Sequence, residues 1–171
     1  MDIHYNLMIL HYKIHDAFIK PGSQLKQYGI KPGFTVVDYG CGPGRYIETA
    51  ASLVGESGLV YAADISDIAT KHVKDRIISG NLHNVIPVLL ETEENIIPSG
   101  CADVVYALDM FHRVNDPVLF LKGIREIIKK GCMLYLEDGH QTRETTLNKV
   151  KNSDLWSIQT QTARYVVLKA L

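Results

Sequence analysis

Five apolar runs of strand length recur along this chain, separated by stretches of helical pattern: FTVVDYG, LVYAADIS, NVIPVLLE, ADVVYALDM and CMLYLED. Runs of this length with few polar interruptions fit strands buried on both faces. Between them, RYIETAASLV reads as a helix, and so does Asp67 to Ser79, with Gly80-Asn81 as its stop signal. Asn115-Asp116-Pro117 opens a further helix to about Lys130. Aspartate suits a helix cap and proline the first helical position. Lys129 and Lys130 then fall at the helix end, where cations suit the dipole, and Gly131 ends it. Strands alternating with helices predict a Rossmann-like α/β fold, a mostly parallel sheet with helices on both faces.

The ends of the chain read differently. Ser23 to Tyr28 predicts a short helix ending at Gly29, and Thr142 to Lys151 another. The tail LWSIQTQTARYVVLKAL alternates without a strong breaker, as two final strands around a tight turn near Thr160 to Ala163. Met1 to Lys20 carries an apolar stripe at helical spacing: Ile3, Leu7, Leu10, Ile14 and Phe18. His4, His11 and His15 flank that stripe. His11 and His15 have the spacing of a metal-binding pair, but no third ligand is identifiable, so no metal is expected. The histidines read either as a polar flank or, with Tyr5, His11 and Tyr12 contributing, as part of a substrate lid, and the helix as a whole reads as that lid. The expected division is residues 1–20 as that lid and 21–171 as one domain.

Composition removes several classes. The formal net charge is -1, and no basic stripe advertises a nucleic-acid surface. The three cysteines, Cys41, Cys101 and Cys132, lack CxxC spacing, against a disulfide framework or zinc site. They suit a reducing, cytoplasmic setting. LMIL is far too short to span a bilayer, and no signal peptide is expected.

The stretch VVDYGCGPGRY places Gly40, Gly42 and Gly44 directly after the first strand. In a parallel sheet that is where a ligand sits, at the carboxyl ends of the strands. Glycine lets a ligand approach the backbone. The following helix start offers N–H donors to a carboxylate or phosphate. Dinucleotide binders continue the pattern to a final small residue, which here is Arg45, and Pro43 removes a donor. Asp64 ends the second strand, about 20 residues further on, where an acid accepts from both ribose hydroxyls. It equally suits capping of the helix at Ser66-Asp67. Loop and acid together point to a nucleoside ligand.

VVDYGCGPGR followed by VYAADIS resembles motifs I and II of the class I S-adenosylmethionine-dependent methyltransferases. VIPVLLETEENIIPSGCADVVYALDMFHRVNDP resembles the third and fourth motif regions of the small-molecule branch, of the ubiquinone and menaquinone biosynthesis type (methyltransferase type 11). FLKGIREIIKKGCMLYLED resembles the following helix and fifth strand. The resemblance implies a seven-stranded sheet with the last strand antiparallel. It implies that Asp38 and the backbone of Gly40, Cys41 and Gly42, with Gly44 in the same loop, bind the methionine part of S-adenosylmethionine. Asp64 would hold the ribose, Ile65 would pack on adenine, Glu91 would reach the adenine amine, and Leu108 would line the cofactor. S-adenosylhomocysteine would be the product. Only about a dozen residues separate EDG from the last hairpin, a short cap for the family.

Methyl transfer is an in-line displacement, so positioning carries much of the catalysis and a base is needed only if the nucleophile must lose a proton. His112 matches a histidine common in this branch and is the base candidate, with a packing histidine as the alternative. His140, beyond the fifth strand, is a candidate for substrate contact or a solvated loop residue. Asp109 is placed to line the site near the methyl group. ALDMF differs from the Asn/Asp-Pro-Pro-Tyr/Phe motif of amino-methylating DNA enzymes. The expected partner is therefore a small molecule and not nucleic acid, with a homodimer left open. A nicotinamide-dependent oxidoreductase and a non-catalytic cofactor-binding subunit are the alternatives.

Overall fold

The computed structural model describes residues 22–90 and 97–171. The N-terminal helix expected over 1–20, with its histidines, and Glu91 lie outside the described residues. The chain forms one seven-stranded sheet: β1 (Thr35–Tyr39), β2 (Leu59–Asp64), β3 (Val85–Leu89), β4 (Ala102–Ala107), β5 (Ile128–Glu137), β6 (Trp156–Gln161) and β7 (Tyr165–Ala170). Their order across the sheet is β3-β2-β1-β4-β5-β7-β6. The first five strands pair in parallel, and β7 runs antiparallel to both β5 and β6. The antiparallel last strand and terminal hairpin are as the sequence predicts.

Strand alternation explains why both faces must be covered. From β1, Val36 packs on one face with Val60, Ala62 and Val104, against Ile47, Ala50 and Val54 of α1 (Ile47–Val54) and Val73 of α2 (Asp67–Gly80). Val37 packs on the other with Ala63, Val105, Leu134 and Leu136. There it meets Leu121 and Ile124 of α3 (Pro117–Ile127) and Val150 of α4 (Arg143–Lys151). A buried aromatic group closes the first face. Tyr28 stacks on Tyr135 at 4.1 Å between centroids and meets Tyr165 edge-on at 5.2 Å. Such pairs contribute about 0.5–1.5 kcal/mol beyond area burial.

Helix ends follow the sequence signals. Ser66 caps α2 through Ala69 N–H, and Asn81 ends it in the left-handed conformation. Asp116 caps α3 through Leu119 N–H, with Pro117 at its start, and Thr142 caps α4 through Thr145 N–H. The short helix expected from Ser23 is a 3-10 helix over residues 23–27. Two expectations change. The helix after the glycines begins at Ile47, so Arg45 and Tyr46 stay in the preceding turn. Finally, α3 ends at Ile127, and Gly131 lies inside β5 at φ 78° instead of terminating a helix. Lys129 is therefore on a strand and reaches Asp103 of β4, and the β4–β5 register shifts between Ala102 and Val104.

From β1 the chain steps outward through β2 to β3, and then crosses back to lay β4 on the other side of β1. That opens a crevice at the carboxyl ends of β1 and β4. Among the described residues no helix is long and apolar enough to cross a membrane.

Candidate active site

The three loop glycines all adopt positive φ, at 83°, 53° and 75°, and each meets a different constraint. A Cβ on Gly40 would fall 2.9 Å from the Met110 side chain. One on Gly44 would crowd Ile47 and Val73 at 3.0 and 3.2 Å, so Gly44 seats α1 and α2 close together. A Cβ on Gly42 would meet nothing within 4 Å: its Cα faces open space. The loop is bent inward by Gly40 and Cys41 N–H, which both donate to Ala63 O, at 2.8 and 3.0 Å. Cys41 is buried, and burial raises its thiol, with the nearby Asp38 and Asp64 carboxylates adding to the effect.

Asp64 ties this loop to the next helix. Its Oδ2 accepts from Gly42 N–H at 2.8 Å and its Oδ1 from Ser66 N–H at 2.9 Å. Asp38, beside it on β1, is 1% exposed, and its Oδ2 has no hydrogen-bond partner among the described residues. Burial lifts its carboxyl to about 8. The Tyr106 phenol opposes that shift without closing a hydrogen bond of normal geometry, and the Asp64 charge adds to it. An orphaned, buried carboxylate oxygen is costly, and such groups mark places where a ligand completes the set. Ile65, immediately after Asp64, is 71% exposed, whereas Leu108 is buried in the core cluster that contains Cys41.

The two candidate histidines, nominated singly from the sequence, come together. Their rings meet edge to face at 4.8 Å between centroids. His140 Nε2 lies 3.8 Å from Asp109 Oδ1, and Asp109 takes the left-handed conformation at φ 52°, which aspartate tolerates better than most side chains. His112 sits on a 3-10 turn (Phe111–Arg113) after β4. The chain leaving β5 lies flat against its ring: a Cβ on Gly139 would fall 2.1 Å from His112 Nδ1. Burial lowers the His112 imidazole below its ordinary value; Asp109 opposes this, and His140, Arg113 and Lys149 reinforce it. Lys149 Nζ bonds Gln141 Oε1 at 2.9 Å and Phe111 O at 3.4 Å, holding the turn that carries His112.

Beside this cluster opens a cleft of about 370 Å³. Arg45, Tyr46, Asp109, Glu137, Gln141 and Arg164 are among its walls. Sequence reading missed all of these but Asp109. They converge from the glycine loop, the ends of β4 and β5, and the β6–β7 hairpin. Glu137, at the end of β5, was the available signal, an acid closing an otherwise apolar strand. It is 7% exposed and bonds Arg164 Nε at 2.8 Å. Burial raises its carboxyl, and Arg164 opposes that. Asp138 is held as a bidentate partner by Arg143, at 2.9 and 2.7 Å. Burial acts to raise Asp138, but the Arg143 bonds keep it below the usual range. Arg143 also bonds Thr162 O at 3.0 Å, pinning the hairpin over the cleft. Among the described residues, no group of three His, Cys, Asp or Glu is placed to hold a metal.

Known structures share this architecture. A SAM-dependent methyltransferase from Aquifex aeolicus superposes with a TM-score of 0.75 at 23% identity, over 89% of this chain and 90% of that one. A tRNA (m1A58) methyltransferase from the same organism gives 0.63 at 13% identity, over 85% and 66%. Coclaurine N-methyltransferase, bound to N-methylheliamine and SAH, gives 0.57 at 25% identity, over 67% of this chain and 33% of that one. No curated protein matches the chain. The model of the methyltransferase domain family matches residues 30–168, from before β1 into the last strand. The chain thus belongs to the methyltransferase domain family, built on the class I fold of S-adenosylmethionine-dependent enzymes.

Proposed function

We propose that this protein transfers the methyl group of S-adenosylmethionine to a small-molecule acceptor lodged in the cleft at the carboxyl ends of β4 and β5. The observation that carries the reading is the unpaired Oδ2 of buried Asp38, beside the open face of Gly42. A cationic methionine end fits both: a positive group for the carboxylate, and backbone close enough to bind at Gly40, Cys41 and Gly42. Asp64 spends one lone pair of each oxygen on backbone donors and keeps the others for ribose hydroxyls. Exposed Ile65 offers an apolar face to adenine, and Leu108 supports the loop from the core side. Gly44 serves the packing of the helices. Glu91 remains the proposed partner of the adenine amine.

When bound, the cofactor supplies an electrophilic methyl on a sulfonium. The chain supplies position and proton management. His112, kept neutral at pH 7 by its lowered value, is the proposed base, with Asp109 and His140 beside it. Net charge of -1 and the size of the cleft support a small acceptor over nucleic acid.

Calorimetric titration with S-adenosylmethionine, S-adenosylhomocysteine, NADH and bulk tRNA tests this reading. Binding of the first two, without NADH or tRNA, is the expected result. Binding of NADH alone overturns the cofactor assignment, and tight tRNA binding overturns the acceptor class.

A further inference from the structure

We infer that the acceptor carries an anionic group, a carboxylate or phosphate, held by Arg164 on the hairpin side of the cleft. This rests on the acceptor site proposed above. The charges around the cleft are not equivalent once their internal partners are counted. Asp138 is spent on Arg143, which holds both its oxygens. Glu137 is buried and already accepts from Arg164 Nε. Arg164 is different. Among the described residues only Nε of its guanidinium is engaged, and its two terminal nitrogens make no hydrogen bond. The side chain is 60% exposed and lines the cleft together with Arg45.

A guanidinium offers five donors in a planar fork that matches the two oxygens of a carboxylate or phosphate. Glu137 fixes the orientation of the fork from behind, by the Nε edge, and leaves the outer edge to a ligand. Arg45, on the same wall, lays its guanidinium over the Tyr46 ring. Asp109 also lines the cleft, next to Glu137, with the His140 and His112 rings beside it. An acceptor anchored by its anion at Arg164 would lie against the wall that carries Asp109. The described walls hold little apolar surface, Ala163 and the Tyr46 ring apart, which speaks against a long hydrocarbon acceptor.

The same anion chemistry has two sources, the acceptor's own group or the carboxylate of the cofactor's methionine end. Titration separates them. Benzoate and benzamide, alike in shape but not in charge, are titrated calorimetrically into the protein with and without S-adenosylhomocysteine, for the wild type, Arg164→Gln and Arg164→Lys. The expected result is at least tenfold tighter binding of benzoate than of benzamide. That preference disappears in R164Q and persists in part in R164K, while S-adenosylhomocysteine affinity stays within about twofold. Thermal melts confirm that both variants are folded, and R164K retains the charge over Glu137. Equal affinity for the two probes, no binding of either, or a preference that survives R164Q overturns the inference. A tenfold loss of S-adenosylhomocysteine affinity in R164Q also overturns it, by assigning the guanidinium to the cofactor. If the wild type prefers benzoate but binds no S-adenosylhomocysteine, the anion site stands and the methyltransferase reading falls.

Discussion

Asp64 Oδ2 accepts a 2.8 Å hydrogen bond from Gly42 N–H, joining the ends of β1 and β2 across the mouth of the site. With Oδ1 on Ser66 N–H, the carboxylate shapes the glycine loop as well as facing the ribose position. Asp64→Ala should therefore weaken S-adenosylhomocysteine by about 1–3 kcal/mol and also lower stability by a similar amount, as expected when polar groups lose partners. Asp64→Asn, which keeps one acceptor, should recover part of the stability and less of the affinity. Calorimetry and thermal melts on both variants check this. Unchanged affinity in D64A would remove Asp64 from the ribose site.

The glycines should separate by function. Gly42→Val puts bulk into open space, at a φ of 53° that costs an L-residue about 1–2 kcal/mol. It should fold with a modest loss of Tm and fail to bind cofactor. Gly44→Val meets Ile47 and Val73 as well as the backbone penalty, and should lose far more stability. Melting temperatures of the two variants, with cofactor affinity for whichever folds, decide it. Normal binding by a folded G42V would make that glycine a turn residue only.

Asp38 gives a pH signature with a definite sign. Its carboxyl rises from an ordinary 3.8 to about 8 in the folded state. Between those values the folded protein holds a proton that the unfolded chain has released. Stability of the ligand-free protein should then fall as pH rises from 4 through 8 and level off above. Asp38→Asn should flatten that slope. A cationic ligand group beside Asp38 favours the ionised form, so S-adenosylhomocysteine binding at pH 7 should release a proton. Calorimetry in buffers of different ionisation enthalpy reads the release directly, and its persistence in D38N would assign it to another group.

The sheet was legible because its strands are apolar runs punctuated by glycine and capped helices, all local signals. The glycine loop and Asp64 stood out by their place at strand ends, whereas Asp38 came only from the family resemblance. What escaped depends on contacts distant in sequence. Lys129-Lys130-Gly131 has the composition of a helix end, yet Lys129 is drawn onto β5 by Asp103 of β4, a partner no local pattern reveals. The cleft is similar. Glu137 meets Arg164 because β5 pairs antiparallel with β7, placing Glu137 opposite Tyr165. Arg45, Asp109 and Glu137 all lie within the stretches that carry the family resemblance, but nothing in those stretches shows that they meet Arg164 around one cleft.

The pairing of β4 with β5, which sets Ala107 beside Leu136, brings His112 and His140 together, and their mutual influence gives the last prediction. With the His112 imidazole below 6.5, the acid limb of the kcat/KM profile should have its midpoint below that value. His112→Ala should cost about 10²–10⁴ in kcat, the usual range for a lost acid–base group. The neighbours should move the limb in opposite directions. His140→Ala and Lys149→Met each remove an influence that lowers His112, so the midpoint should shift to higher pH. Asp109→Asn removes an influence that raises it, so the midpoint should shift lower. A purely structural His112 would leave the limb in place in all three variants. An acid limb that survives in His112→Gln would place the base elsewhere.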